Sequence, residues 1–221
     1  MEEILNWDRA ATLFINGSHS LFWDQTVYVA TSTIVWVPLG LVIFWLIWKH
    51  TTPSRFFTIV VLFALAIFIS ETLSSTVFKP IFQRWRPTQD PLYMYAVDTV
   101  HNYRGGRFGF FSAHASNTFS VATFLCFLFR RKWLNVLVVS WALLNCYTRL
   151  YLGVHYVGDI LVGTFFGLVI GSLLYRVYLW RCCKGEKTQE PLLDEQSAQI
   201  LVCGILFNYV MLFVIALAFW V

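Results

Sequence analysis

The sequence is poor in charged residues. Lys, Arg, Asp and Glu together make up 13% of its 221 residues, whereas a soluble domain carries about a quarter. Hydrophobic residues account for 58% of the chain, and the mean hydropathy is +0.63. The shortage of charge excludes an ordinary soluble domain. It predicts an integral membrane protein, with residues 1–221 forming one transmembrane domain.

Two further features are missing. The first residues include Glu2 and Glu3 and lack a basic stretch, so no cleavable signal peptide is expected. The five cysteines show no regular spacing, which excludes a disulfide framework and a zinc site of the usual kind. No carboxylate cluster suited to a metal ion is apparent. We therefore expect no metal, no other cofactor and no nucleic-acid partner.

Long apolar runs dominate what is present. Each is near the roughly 20 residues that cross a bilayer, and they lie at 27–48, 56–78, 109–130, 133–152, 154–180 and 200–221. The sequence therefore predicts an all-α, polytopic fold with six transmembrane helices.

Three segments outside these runs have their own character. Residues 1–22 place Trp7, Ala11 and Phe14 at helical spacing, which predicts an interfacial helix. Residues 80–108 are rich in Pro, Gly and Asp and carry aromatic side chains, which predicts a loop that forms a lid. Residues 184–199 are polar and are expected to form another loop.

The basic residues predict the orientation. With six spans, the loops after the first, third and fifth carry nine of the sixteen Lys and Arg residues. The positive-inside rule makes that face cytoplasmic, and with it the loop 184–199. The N-terminus and the loop 80–108 then share the outer face. We expect a bacterial inner membrane protein whose active site faces the periplasm or the outside.

Three polar clusters meet at the predicted outer-face helix ends: residues 79–87, 111–117 and 148–159. They bring three cations, Lys79, Arg86 and Arg149, which need an anion if they converge in a poorly hydrated site. An arginine fork matches phosphate oxygens, and lysine adds a point charge. Ser112 and the free N–H groups of the following helix start add donors. These residues predict a phosphate monoester or diphosphate ligand.

Two histidines indicate phosphoryl transfer. His155 and Asp159 are four residues apart and share one helix face. An aspartate bonded to one ring nitrogen leaves the other free to attack phosphorus. His114 is then the acid that protonates the leaving oxygen.

The motifs resemble those of the type 2 phosphatidic acid phosphatase superfamily. They read Lys79…Arg86-Pro87, Ser112-Ala113-His114 and Arg149…His155…Asp159. The resemblance implies a metal-independent lipid phosphatase with a phosphohistidine on His155 and with His114 as general acid. It also implies a set of phosphate ligands, namely Lys79, Arg86, Ser112, Ala113 and Arg149. Two positions depart from the usual pattern, since Ala113 replaces a glycine and Thr148 a serine.

Other residues have less certain roles from the sequence. Arg104, Arg107 and Tyr103 are candidate headgroup contacts, and the two arginines are equally consistent with solvated loop charges. Glu71 lies inside the second apolar run, where either a structural or a functional role is open. Gly163, Gly167 and Gly171 repeat every four residues, which predicts close helix packing.

Several functional alternatives remain open at this stage. The partners expected are the bilayer and a phosphorylated lipid, such as undecaprenyl diphosphate, phosphatidylglycerophosphate, phosphatidic acid or lipid A. A phosphotransferase would hand the phosphoryl group to another lipid. A non-enzymatic anionic-lipid binder or transporter would use the same cationic cleft without hydrolysis. The sequence gives no oligomeric state.

Overall fold

The computed structural model describes residues 2–18, 20–184 and 190–218. Within these ranges the chain forms helices joined by loops, which confirms the predicted all-α class. The α-helices are α1 (Glu2–Ile15), α2 (Leu21–Ala30), α3 (Thr33–His50), α4 (Pro53–Glu71), α5 (Lys79–Phe82), α6 (Ala113–Phe129), α7 (Lys132–Tyr151), α8 (Val157–Cys182) and α9 (Glu195–Ala218). A π-helical segment, Thr72–Phe78, joins α4 to α5.

Four helices are long and apolar enough to cross a membrane by length and composition: α3, the continuous helix Pro53–Phe82, α8 and α9. Helix α6 is apolar but shorter, with 17 residues. The predicted loop 80–108 holds three short 3-10 segments, at Pro87–Gln89, Met94–Ala96 and Val100–Asn102. The fold is therefore a bundle of apolar helices with one long structured loop.

Local sequence accounts for helix ends that differ from the predicted spans. The predicted first span, 27–48, is divided, because Ser32 adopts an extended backbone between α2 and α3. The predicted polar loop 184–199 is shorter at its far end, because Asp194 Oδ1 accepts a hydrogen bond of 2.7 Å from Ser197 N and caps α9. Residues 185–189 of that loop lie outside the described residues.

Helix α6 lies at the centre of the bundle, packed against α4, α7 and α8. Three glycines of α8 allow the closest of these contacts. A Cβ atom at Gly163 would lie 2.5 Å from Ser112 O, and one at Gly167 would lie 2.7 Å from Ser116 O. A Cβ at Gly171 would lie 2.4 Å from Ser120 O. The glycine repeat thus packs α8 against α6, as its spacing predicts.

The two ends of the bundle differ in chemistry. At one end lie the N-termini of α6 and α8 and the C-termini of α5 and α7, which carry the three polar motifs. At the other end, Arg131 Nη2 donates to Leu193 O at 2.9 Å and His50 Nε2 lies 2.8 Å from Ser197 Oγ. The alternating direction of the helices therefore gathers the motifs at a single end.

We expect Gly167→Leu to lower the free energy of unfolding by about 1–3 kcal/mol, because the added side chain would separate α8 from α6. Gly40→Leu in α3 is the matched control, since a Cβ there meets nothing within 4 Å. Thermal unfolding in detergent measures both variants. Equal melting temperatures for the two would contradict this account of the packing.

Candidate active site

The first motif places Arg86 in contact with His155. Helix α5 ends where Gln83 adopts a left-handed backbone with φ 46°, and the chain then turns back across the end of the bundle. Arg86 Nη1 donates to Val154 O at 3.0 Å and to His155 Nε2 at 3.2 Å. Its Nε donates to Phe108 O at 3.2 Å. The guanidinium is therefore held against the imidazole by backbone carbonyls.

The second motif begins α6. Ser112 is the N-cap residue, and its Oγ accepts from Ala115 N at 3.4 Å. Its backbone N–H donates to Asp159 O at 3.0 Å, which ties this motif to the third. Ala113 is the first residue of the helix. Because a helical residue needs no positive φ, alanine fits this position without the freedom of glycine.

The third motif fixes the imidazole of His155. Asp159 Oδ2 accepts from Tyr156 N at 3.0 Å and lies 3.4 Å from His155 Nδ1. His155 and Asp159 are 2% and 0% exposed. Because Arg86 donates to Nε2, the ring proton belongs on Nδ1, facing the carboxylate. The Nε2 lone pair then faces the cations of the site, where it accepts the hydrogen bond from Arg86.

Arg149 is the second buried arginine of the site, at 3% exposure. Its Nη1 donates to Thr31 Oγ1 at 2.6 Å and its Nη2 to Tyr103 OH at 3.1 Å. Within the described residues, its buried Nε has no hydrogen-bond partner. Buried donors are normally satisfied, so this one suits an oxygen of a bound anion.

The electrostatics show that the motifs converge. Burial lowers the pKa of His155 well below its ordinary value, and Arg86, Arg149, Lys79 and His114 lower it further. In the described part of the chain, none of the three cations forms an ion pair with a carboxylate. The site is therefore a pocket of positive charge around a neutral imidazole. Such a pocket can bind a phosphate group and present a nucleophile to it.

Comparison with known proteins agrees with this chemistry. The profile of the PAP2 superfamily matches residues 58–182, more than half of the chain. This chain belongs to the PAP2 superfamily. With four helices of membrane-spanning length and composition, this PAP2 member is an integral membrane protein.

Two curated relatives of this PAP2 protein are both named lipid A 4'-phosphatase. The protein of Bacteroides thetaiotaomicron is 38% identical over 79% of this chain and 78% of its own length. That of Porphyromonas gingivalis is 38% identical over 81% of this chain and 76% of its own length. No solved structure matches the chain.

The PAP2 site includes a network that the sequence did not reveal. Arg84 Nη1 donates to Asp159 Oδ1 at 2.9 Å, and its Nη2 pairs with Asp8 Oδ2 in α1. Asp8 Oδ1 also accepts from Gly158 N at 2.8 Å, and Thr12 Oγ1 accepts from Val157 N at 3.1 Å. Helix α1 thus caps α8 beside Asp159.

The only sequence signal for this network is that Asp8 and Thr12 lie about one turn apart on a helix. The predicted interfacial position of α1 remains a prediction. Its two buried residues, Asp8 and Thr12, face α8. Trp7 and Phe14 are exposed.

The predicted headgroup residues have separate contacts. The Tyr103 hydroxyl accepts from Arg149 Nη2, so it helps to orient one of the predicted phosphate ligands. Arg104 Nη1 donates to Thr88 O at 3.0 Å, and the Arg107 guanidinium lies 4.4 Å from the Trp85 ring centre. Both arginines are exposed. Headgroup binding by Arg104 and Arg107 remains a prediction.

A double-mutant cycle tests the Asp8–Arg84 pair in this PAP2 member. Arg84→Gln leaves two nearly buried carboxylates without their cation, so we expect a large loss of stability, about 3 kcal/mol. With Asp8→Asn, the coupling energy should be about 1–3 kcal/mol. Thermal unfolding in detergent gives both values.

Arg9→Gln is the control, because the Arg9 guanidinium stacks on Tyr93, 4.3 Å from its ring centre, without an ion pair in the described chain. It should have little effect. Strictly additive losses for Arg84→Gln and Asp8→Asn would contradict the coupling.

Proposed function

We propose that this protein removes a phosphate from a phosphorylated glycolipid of the lipid A class, through a phosphohistidine formed on His155. It is an enzyme, a membrane hydrolase of lipid phosphate esters, as its family and its named relatives indicate. One observation carries the mechanism. His155 Nε2 lies among uncompensated cations while Nδ1 faces Asp159.

In the first step, a phosphate oxygen takes over the hydrogen bond that Arg86 gives to His155 Nε2, and the freed Nε2 lone pair attacks phosphorus. The P–N bond forms as the bond from phosphorus to the lipid oxygen breaks, and His114 gives that oxygen a proton. Arg86, Arg149 and Lys79 stabilise the charge that spreads over the equatorial phosphate oxygens. Asp159 stabilises the cationic ring because its carboxylate accepts a hydrogen bond from Nδ1–H.

In the second step, water attacks the phosphohistidine. His114, now neutral, takes a proton from the water as the P–N bond breaks. Inorganic phosphate leaves, and His155 recovers its Nε2 lone pair. Two easier displacements thus replace one difficult step, without a metal ion. Ser112 and the backbone N–H of Ala113 are proposed as further phosphate donors.

The choice of lipid rests on the two relatives. Both are named lipid A 4'-phosphatase and share 38% identity over more than three quarters of this chain. Undecaprenyl diphosphate, phosphatidylglycerophosphate and phosphatidic acid are the comparison substrates. Assays of the purified protein with all four lipids identify the preferred one.

We also propose how the bundle lies in the membrane. Helices α3, α4–α5, α6, α7, α8 and α9 would make six spans, with the site at the periplasmic end of a bacterial inner membrane. The basic residues support this orientation, because Arg130 and Arg131 lie between α6 and α7 and Lys132 begins α7, at the end opposite the site.

Two histidine variants test the chemistry. His155→Ala should abolish phosphate release, because no nucleophile remains. His114→Ala should slow release by about 10²–10⁴-fold, the usual contribution of a general acid. With ³²P-labelled lipid, the wild-type protein should trap label that survives alkali and is lost in acid, as expected of a P–N bond. His155→Ala should trap none.

His101→Ala provides the control, since the exposed His101 ring contacts Gln25, 2.8 Å away, outside the site. Its activity should equal that of the wild type. Wild-type turnover by His155→Ala, or label retained in that variant, would rule out the phosphohistidine.

Cysteine labelling tests the orientation. In a background with the five native cysteines replaced by serine, Tyr95→Cys and Glu190→Cys place thiols at exposed positions near opposite ends of the bundle. A membrane-impermeant thiol reagent added to spheroplasts should label position 95. It should label position 190 only after the membrane is opened, and the reverse pattern would contradict the proposal.

A further inference from the structure

Three polar side chains, those of Lys79, Ser75 and Glu71, are hydrogen-bonded in sequence along the continuous helix Pro53–Phe82, beginning at the proposed phosphate site. Lys79 Nζ donates to Ser75 Oγ at 3.1 Å, and Ser75 Oγ donates to Glu71 Oε2 at 3.1 Å. Glu71 and Ser75 are exposed, although they belong to the apolar helix Pro53–Phe82. Only two hydrogen bonds therefore separate the Glu71 carboxylate from a cation of the site.

Helix α6 contributes one more residue, Asn117, to this set of polar side chains. Asn117 Nδ2 donates to Glu71 Oε1 at 3.2 Å. Asn117 lies one turn beyond His114, about 5 Å along the helix axis. Its buried Oδ1 has no hydrogen-bond partner in the described ranges. The contact between α4 and α6 thus brings a carboxylate and an amide together about one helical turn from the predicted general acid.

These groups form a surplus of acceptors. A carboxylate has about four acceptor positions, and two of them are taken, by Ser75 and Asn117. An ionisable group on an exposed helix face within the membrane is costly, and such groups usually face a ligand path or a hydrated cleft. A ligand with hydroxyl or amide N–H donors would satisfy the exposed Glu71 carboxylate, which Asn117 Nδ2 holds in place.

We infer that Glu71 and Asn117 form a subsite for hydrogen-bond donors on the headgroup next to the scissile phosphate. This inference rests on the proposed function and deepens it. The sugar of a phosphorylated glycolipid carries hydroxyl and amide N–H groups close to its phosphate. Phosphatidic acid and polyprenyl phosphates carry no such donors beside theirs. The subsite therefore selects the glycolipid class.

A positioning role is the competing account of the same contacts. If Glu71 served only to orient Lys79 through Ser75, its loss would weaken phosphate binding to the same degree for every substrate. The subsite predicts a different result, since only substrates with donors would be affected. Comparing two lipids separates the two accounts.

The test uses the purified protein and Glu71→Gln, which keeps the size of the side chain and removes its charge. We expect kcat/KM for lipid A to fall about 10- to 100-fold, the range for a hydrogen bond to a charged group. For phosphatidic acid we expect a change below about twofold. Asn117→Ala should give a loss in the same direction. Glu190→Gln, in an exposed segment at the other end, should leave both rates unchanged.

A binding measurement tests the subsite independently of hydrolysis. Glu71→Gln should bind lipid A lacking phosphate about tenfold more weakly than the wild type, measured by tryptophan fluorescence. Equal losses for both phosphorylated lipids, or unchanged binding of the phosphate-free lipid, would overturn the subsite. If the wild type hydrolyses none of the lipids, the proposed function fails, while this binding result still decides the subsite.

Discussion

The unequal sharing of carboxylates among cations governs this site. Arg84 pairs with two buried carboxylates, Asp8 and Asp159. Arg86 and Arg149 are instead held by neutral oxygens, from Val154 and Phe108 in one case and from Thr31 and Tyr103 in the other. Neutral acceptors fix the direction of a guanidinium without cancelling its charge. The positive charge of Arg86 and Arg149 can therefore be balanced by the phosphate group of a substrate.

Asp159 connects the arginines of the site to the proposed nucleophile, His155. One of its oxygens is bound to Arg84, and the other faces Tyr156 N and His155 Nδ1. Its backbone carbonyl accepts from Ser112, at the start of α6. A single residue thus joins the histidine, the helix that carries His114 and the loop that carries Arg86. The glycines of α8 make this possible, because they let the two helices pack closely enough for the motifs to meet.

The sequence identified the motif residues that meet at one end of the bundle, but not the residues that support them. Motif residues such as Arg86, His155 and Asp159 are identifiable because their types and spacings are specific. The supporting residues are not, since Asp8 lies 76 positions from its partner Arg84 and Thr31 lies 118 positions from its partner Arg149. Apolar runs located the helices but missed the break at Ser32, because one extended residue hardly changes hydropathy.

Helix α1 has a consequence for where this domain begins. The stretch matched by the family profile starts at residue 58, yet Asp8 and Thr12 accept hydrogen bonds from the first turn of α8, and Thr31 orients Arg149. A protein shortened to residues 58–182 would keep all three motifs. It would lose Asp8, Thr12 and Thr31, which hydrogen-bond to α8 and to Arg149. For this chain, the contacts that support the motif residues therefore begin before the matched stretch, at residues of α1 and at Thr31.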